Sequence, residues 1–342
     1  MANKLYVAVA TMIGYIIGAG ILGIPYAVAK SGLVIGLLSI IILGVAVICL
    51  NLYMGEIVLR TKAKHQIPGY AQKYLGNYGR WIMIILMIFG AYGALIAYII
   101  KEGQFLSALF TPIFGGGAVF YSILFFIMAS YLIYAGIEAI SKSEFFFVSL
   151  ILFLIVIFFI ASFGSISLEN VLTFNPGAFL IPFGVILFAF HGLGSISEIG
   201  VELRRHRKLM KKAIILGSVL PIVIYVVFTA LVVGITGTAT TDGAILGVAE
   251  KIGSNVLLFG AIFGILVLAT SFIGVGLALK EMYMFDFKMK PWLASFLTCI
   301  IPLLLFFAII YKDVHNAFYN VIDITGSIVV PLETIFVLLI VR

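Results

Sequence analysis

The sequence predicts an all-α integral membrane protein with ten transmembrane helices. Three observations predict it: composition, the number of long apolar runs, and the uneven placement of basic residues. Of 342 residues, 63% are apolar and only 10% are charged, and the mean hydropathy is +1.26. A soluble domain carries about a quarter charged residues. The balance excludes a water-soluble enzyme, a disordered chain and a nucleic-acid-binding module, because the formal charge of +7 is confined to short loops. Ten spans of roughly 20 residues would use about 200. A membrane β-barrel would need polar/apolar alternation in pieces of about 10 residues. The run from Phe145 to Phe163 shows no alternation.

The apolar runs cover 5–29, 33–59, 80–100, 118–140, 144–163, 178–202, 213–235, 256–280, 292–310 and 318–341. The first could imitate a signal peptide, with Lys4 ahead of it and Ala27-Val28-Ala29 behind. Signal cores are shorter, about 7–15 residues, and this run reads as an irregular first span. Arg60, Lys62, Lys64, Lys73 and Arg80 crowd one loop, and six basic residues crowd 203–212. Basic residues concentrate on the cytoplasmic side. With a cytoplasmic N-terminus, 17 Lys and Arg fall inside and four outside (Lys30, Lys101, Lys251 and Lys312). Both termini are therefore expected in the cytoplasm. Tyr70, Tyr74, Leu75 and Tyr78 suggest a short interfacial helix. The outer loops 164–177 and 237–255 are long enough to form lids. Cys49 and Cys299 each lie in an apolar run and give no disulfide framework.

Two spans are unlike the rest. The first carries Gly14, Gly18, Gly20, Gly23 and Pro25, and the sixth carries Phe188-Ala189-Phe190-His191-Gly192. Gly20 and Gly192 are 172 residues apart in a chain whose half is 171. Each half holds five spans, so the second enters the membrane in the opposite sense. The expected organisation is a single transporter domain built of two inverted repeats, about 1–163 and 178–342, with helices 1 and 6 broken at mid-membrane. Glycine- or proline-interrupted spans at matching positions of two halves point to a binding site. Freed backbone groups cannot face lipid. N–H groups at a half-helix start suit a carboxylate, and freed carbonyls suit an ammonium group or a bare cation. An amino acid zwitterion supplies both. Close helix packing is the competing account of any single glycine. Gly20→Val is expected to abolish binding in a folded, inserted protein.

Gly18-Ala19-Gly20-Ile21-Leu22-Gly23-Ile24-Pro25-Tyr26-Ala27, followed by Ser31-Gly32, resembles the first helix of the amino acid/auxin permease family. Phe188-Ala189-Phe190-His191-Gly192 resembles the sixth helix of that family and of the hydroxy/aromatic amino acid permeases. Thr270-Ser271-Phe272-Ile273-Gly274-Val275-Gly276-Leu277 resembles the eighth helix of the aromatic group, and Gly326 and Pro331 fit the tenth. Both families belong to the amino acid–polyamine–organocation superfamily, whose LeuT-like fold is a five-plus-five inverted repeat. The resemblance implies substrate contacts at Gly18, Ala19, Gly20 and Ile21, and at Phe188, Ala189, Phe190, His191 and Gly192. Gly18, Ala19 and Gly20 would hold the carboxylate through N–H groups, and carbonyls near Phe188, Ala189 and His191 the ammonium. Ala19 stands where some relatives carry Ser. The resemblance also implies a Na⁺ site at Gly14, Ile17, Val267, Thr270 and Ser271. The last three share one helix face, though the Thr270 and Ser271 hydroxyls could equally bond back to the helix. The proton-carrying Lys of some relatives' fifth helix has no counterpart in Phe145–Phe163.

Charges inside a membrane are costly and mark function. Glu198 and Glu202 stand at i, i+4 on the sixth span, as a gate network or proton carriers, or, for Glu202, as a solvated helix end beside Arg205 and His206. His191 is the one His within a span, either a titrating switch or a neutral bridge. The reading is a cation-coupled symporter, driven by Na⁺ or H⁺, of neutral or aromatic amino acids. It is expected to work as a monomer in the lipid bilayer without a cofactor or nucleic acid. An exchanger or a non-transporting sensor of the same fold is the alternative. An intramembrane enzyme would need a nucleophile–base pair or metal cluster, and the sequence has no His-Glu-x-x-His and no Gly-x-Ser-x-Gly. A channel would need a repeated filter element, which is also lacking.

Overall fold

A computed structural model describes residues 2–61, 65–136, 139–312 and 316–341. The chain is helical throughout these residues. In order the helices are α1 (Ala2–Ile16), α2 (Gly20–Ser31), α3 (Leu33–Arg60), α4 (Ile67–Phe114), α5 (Ala118–Ala135), α6 (Ala139–Ser162), α7 (Leu168–Val171), α8 (Phe183–Ala189), α9 (Leu193–Glu202), α10 (Met210–Thr236), α11 (Ile245–Ile252), α12 (Ser254–Asp286), α13 (Pro291–Tyr311) and α14 (Ala317–Val341). Among the described residues eight helical segments are long and apolar enough to cross a membrane, nine with α1 and α2 counted as one bent span. The expected span at 144–163 falls on α6, and the side chains of 139–148 lie outside the described residues. Apolar side chains such as Ile42, Ile85, Ile127 and Leu304 face outward from these helices, as lipid contact requires.

Two helices run past the ends expected of them. The third span continues from 80–100 to Phe114, so Lys101 and Glu102 lie inside α4 and are fully buried rather than in an outer loop. The eighth continues to Asp286, which draws Lys280 into α12. Its Nζ donates to the carbonyls of Ile133 and Tyr134, 2.8 and 3.0 Å away. These carbonyls end α5, where the chain turns at Gly136 in the left-handed region. A helix's last carbonyls lack intrahelical partners, and a cation there also meets the negative end of the dipole. Charge density had placed Lys101 in an outer loop and Lys280 at the very end of its span, but their aliphatic stems and polar tips are satisfied inside the bundle.

The interfacial helix expected around Tyr70–Tyr78 is the start of α4, set off by a break at Gly76 (φ 73°, ψ −164°). That conformation strains any residue with a Cβ.

The two sides of the bundle differ. Opposite the basic loops, the long connections are tied down. Asn175 N–H donates to the Ser31 carbonyl at 3.1 Å, and Asn170 Nδ2 donates to the Gly234 and Ile235 carbonyls. Lys101, fully buried, donates to Asp242 at 2.8 Å and lies 4.8 Å from the Phe318 ring centroid. Lys30 sits over the rings of Tyr26 and Tyr319, 4.2 and 4.9 Å from their centroids. Removing one partner of a buried ion pair costs about 3–5 kcal/mol. Asp242 keeps some exposure, so Asp242→Ala is expected to destabilise the protein by about 3 kcal/mol. Thermal unfolding in detergent measures it, and an unchanged midpoint would remove the pair from the closure of this face.

Candidate transport site

Glycine and proline density sets the first break. α1 ends at Ile16, α2 starts at Gly20, and the two are bent by 54°. Gly18 N–H turns back to the Ile16 carbonyl at 2.9 Å. Among the described residues no backbone acceptor faces the N–H of Ala19 or Gly20. Of the three donors expected for a carboxylate, these two remain, at the N-terminus of α2. The second break lies between Ala189 and Leu193, where Phe190 and Gly192 leave the helical region.

The breaks touch. A Cβ on Gly20 would overlap Cα and Cβ of Ala189. Gly20 is thus a close-approach glycine first, and Gly20→Val cannot leave the fold undisturbed. Gly326 of α14 is pressed in the same way on the carbonyl of Gly184. Tyr225 of α10, fully buried, joins the two breaks with one hydroxyl. It lies 2.6 Å from the Ile16 carbonyl and 3.0 Å from the Ala189 carbonyl. The Phe188 carbonyl accepts from His191 N–H at 3.1 Å. Each carbonyl has a second lone pair, so both can still meet an ammonium group.

Around the breaks lies a cavity of about 150 Å³, room for roughly five waters. Gly18, Ala19, Gly20, Phe188, Ala189, His191 and Gly192 line it. So do Ala94 and Tyr98 of α4, Val275 and Met282 of α12, and Gly326, Val330 and Glu333 of α14. Gln66, Ile67 and Glu281 also line it, so it extends toward the basic loops. Ile21 and Phe190 are not in the lining. Both are buried, and Phe190 packs on Tyr225 with ring centroids 5.1 Å apart.

The expected cation residues behave unequally. Ser271 reaches α1, with its Oγ 3.1 Å from the place a Cβ would take on Gly18, and the Tyr98 hydroxyl is 3.5 Å from the same point. Thr270 instead donates to its own helix, at the Leu266 and Val267 carbonyls (2.8 and 3.1 Å). Ile17 and Val267 are buried and Gly14 is half-buried, and none lines the cavity.

The acidic pair knits two helices. Tyr15 donates to Glu198 at 2.6 Å and Thr11 to Glu202 at 2.9 Å. Residues 11 and 15 of α1 thus meet 202 and 198 of α9 as an antiparallel ladder. His191 Nε2 stands 2.7 Å from Glu333 Oε2. Tyr98 and Tyr225 carry no sequence signal of a site; Glu333 carries one, as a charge inside the tenth span, but nothing in the sequence names its partner. Only the topology brings them in, at separations of up to 209 residues.

Helices interrupted at mid-bundle around a cavity, with backbone donors on one side and shared carbonyls on the other, form the arrangement of a broken-helix transporter. The chain matches the model of the tryptophan/tyrosine permease family over residues 1–341, and it belongs to that family. It is an amino acid permease of the LeuT-like fold, not an enzyme. It is 26% identical over 319 residues to glutamine transporter 2 of Aliivibrio fischeri, covering 89% of this chain and 81% of that protein. It is 27% identical over 298 residues to tyrosine-specific transport system 1 of Haemophilus influenzae, covering 82% and 72%. Among solved structures, MhsT in complex with L-phenylalanine superposes with a TM-score of 0.77 at 16% identity, over 97% of this chain and 87% of that one. Mhp1, a nucleobase-cation-symport-1 family transporter, gives 0.71 at 15%, over 97% and 77%.

Tyr225→Phe removes the hydroxyl between the two breaks and takes a donor from the Ala189 carbonyl, while the Ile16 carbonyl keeps Gly18 N–H. The expected loss is about 1–3 kcal/mol of unfolding free energy in detergent, with amino acid affinity falling alongside. A variant as stable and as tight-binding as wild type would show that the bridge carries no weight.

Proposed function

We propose that this permease is a cation-coupled symporter of neutral or aromatic amino acids that works by alternating access. The observation that carries the proposal is the convergence of both breaks on one cavity with complementary backbone groups. The substrate carboxylate lies at the N–H groups of Ala19 and Gly20, where the α2 dipole favours negative charge. Its ammonium faces the remaining lone pairs of the Phe188 and Ala189 carbonyls. The side chain extends between α4, α12 and α14, a mostly apolar space, which favours neutral over charged substrates. The names of the tyrosine and glutamine relatives and the L-phenylalanine held by MhsT agree with that class.

Counting α6 as a span, and each broken pair as one, makes ten spans in two inverted repeats, about 1–163 and 178–342. The basic loops face the cytoplasm with both termini. The cavity then opens inward while the tethered loops close the outer face. Rocking of the broken helices against the remaining bundle would expose the same site to the other side. Coupling by Na⁺ would fall to Gly14, Ile17, Val267, Thr270 and Ser271, which requires Thr270 to give up its bonds to α12. Coupling by H⁺ would fall to His191, Glu198 or Glu202.

Uptake of labelled amino acids into proteoliposomes under separate inward Na⁺ and H⁺ gradients tests the proposal. Accumulation of neutral or aromatic amino acids under one gradient is expected. If Na⁺ drives it, Ser271→Ala should raise the Na⁺ concentration needed about tenfold or more. Binding without accumulation would mean an exchanger or a sensor. No binding of any amino acid would falsify the reading.

A further inference from the structure

Glu333 is fully buried midway along α14. One carboxyl oxygen meets His191 at 2.7 Å, and the other, Oε1, has no hydrogen-bond partner. The imidazole stands between this carboxyl group and the cavity, with 36% of its side-chain surface open. The two residues belong to different parts of the fold. His191 lies in the break between α8 and α9, and Glu333 lies on a continuous helix. Their contact spans 142 residues of sequence.

A buried carboxylate is costly unless something opposite faces it. The charges on the helices packed against α14 are engaged elsewhere. Glu56 and Arg60 of α3 pair with one another. On α4, Arg80 faces Asp286 and Lys101 faces Asp242. Glu102 on α4 is acidic and buried, and Lys73 is exposed beside Tyr74. Lys30 of α2 lies over two tyrosine rings at the far end, near Asp323 of α14 itself. α8 carries no titratable group. The other titratable residues lining the cavity are Tyr15, Tyr98, Glu198 and Glu281, with no Lys or Arg. Among the described residues His191 is the group in position to balance Glu333.

We propose that His191 and Glu333 together form the proton site of the transport cycle, a proposal that rests on the symporter reading above. The pair holds one proton at net charge zero, shared between Nε2 and Oε2. It takes that proton from the outer solution with the amino acid and releases it through His191 to the cavity on the basic side. Without the proton the pair carries one negative charge and cannot stay desolvated. Because the contact joins a break to a continuous helix, proton occupancy biases the position of one against the other. Glu333 positions the imidazole, and His191 meets the cavity.

The test uses the full chain in proteoliposomes with labelled L-tyrosine, L-tryptophan and L-glutamine and a lumenal pH dye. In wild type an inward proton gradient should drive accumulation with lumenal acidification. Glu333→Gln should lose gradient-driven accumulation about tenfold or more. It should keep counterflow, the exchange of labelled for unlabelled amino acid at equal pH, which moves no net proton. His191→Asn should lose accumulation likewise, and Glu333→Asp, which keeps the carboxyl group, should retain part of it. Gradient-driven accumulation by Glu333→Gln at the wild-type level overturns the proposal. So does wild-type uptake driven by Na⁺ without acidification, and so does equal loss of counterflow in Glu333→Gln and Glu333→Asp, which makes the glutamate a packing residue. In these three cases the amino acid reading stands. Wild type that exchanges none of the three amino acids fails both.

Discussion

The Tyr225 hydroxyl is the contact on which the site's geometry depends. Breaking a helix inside a membrane leaves carbonyls that water cannot reach, and each unsatisfied group costs several kcal/mol in hydrocarbon. The Tyr225 phenol lies within hydrogen-bond distance of both the Ile16 and Ala189 carbonyls, and Gly18 N–H also donates to Ile16, so between them these two donors meet that requirement at both breaks. The phenol also fixes their spacing, because it can serve both only while they stay adjacent. Gly20 lets them come that close, since its missing side chain is where Ala189 sits. The same arrangement leaves the N–H groups of Ala19 and Gly20 without backbone acceptors. Satisfied carbonyls and unsatisfied donors beside one cavity are what a ligand with a carboxylate can complete.

The sealed face follows a different rule. There the ties are side chains rather than backbone: Lys101 with Asp242, Lys30 over two tyrosines, and Asn170 and Asn175 on loop and helix-end carbonyls. Such ties can part without unfolding a helix, provided each partner finds water when it does. Asp242 and Lys30 keep some exposure. Lys101 does not, and it is the costliest to release. On the face toward the basic loops the cavity is lined by Gln66, Ile67 and Glu281, and the ion pairs there among the described residues, Arg60 with Glu56 and Arg80 with Asp286, involve none of these three.

The spans and the sites of both breaks were legible because each depends on local composition. Apolar length defines a membrane helix, and clustered glycines weaken it wherever they occur. Helix ends were less legible. Lys101 read as a loop residue and Lys280 as the last residue of its span, since charge normally marks water, and the paired Asp242 and the carbonyls ending α5 make burial tolerable. The partners of the breaks were less legible. Tyr225 and Tyr98 sit in ordinary apolar helices with nothing along the chain to distinguish them, and Glu333 stands out as a charge in an apolar run but only the fold shows that it meets His191. Glu198 and Glu202 were recognised as an i, i+4 pair, but their bonds to Tyr15 and Thr11 required knowing that α1 and α9 run antiparallel. Thr270 had two readings, and its bonds to the Leu266 and Val267 carbonyls favour the local one in this state.

That last point bears on how a cation could be coupled here. A Na⁺ ion needs several hard oxygens at once. In this state Thr270 already spends its proton on its own helix, and the Val267 carbonyl already accepts from it. Recruiting both would require α1 and α12 to approach, with Ser271 already in place at Gly18. A proton needs no such assembly. It needs one basic group with a partner that makes its charge tolerable and a route to water. His191 has a buried carboxyl group on one side and the cavity on the other. The two chemistries thus make opposite demands on the same bundle. One is met only after helices move, and the other is met by side chains already in contact across a break.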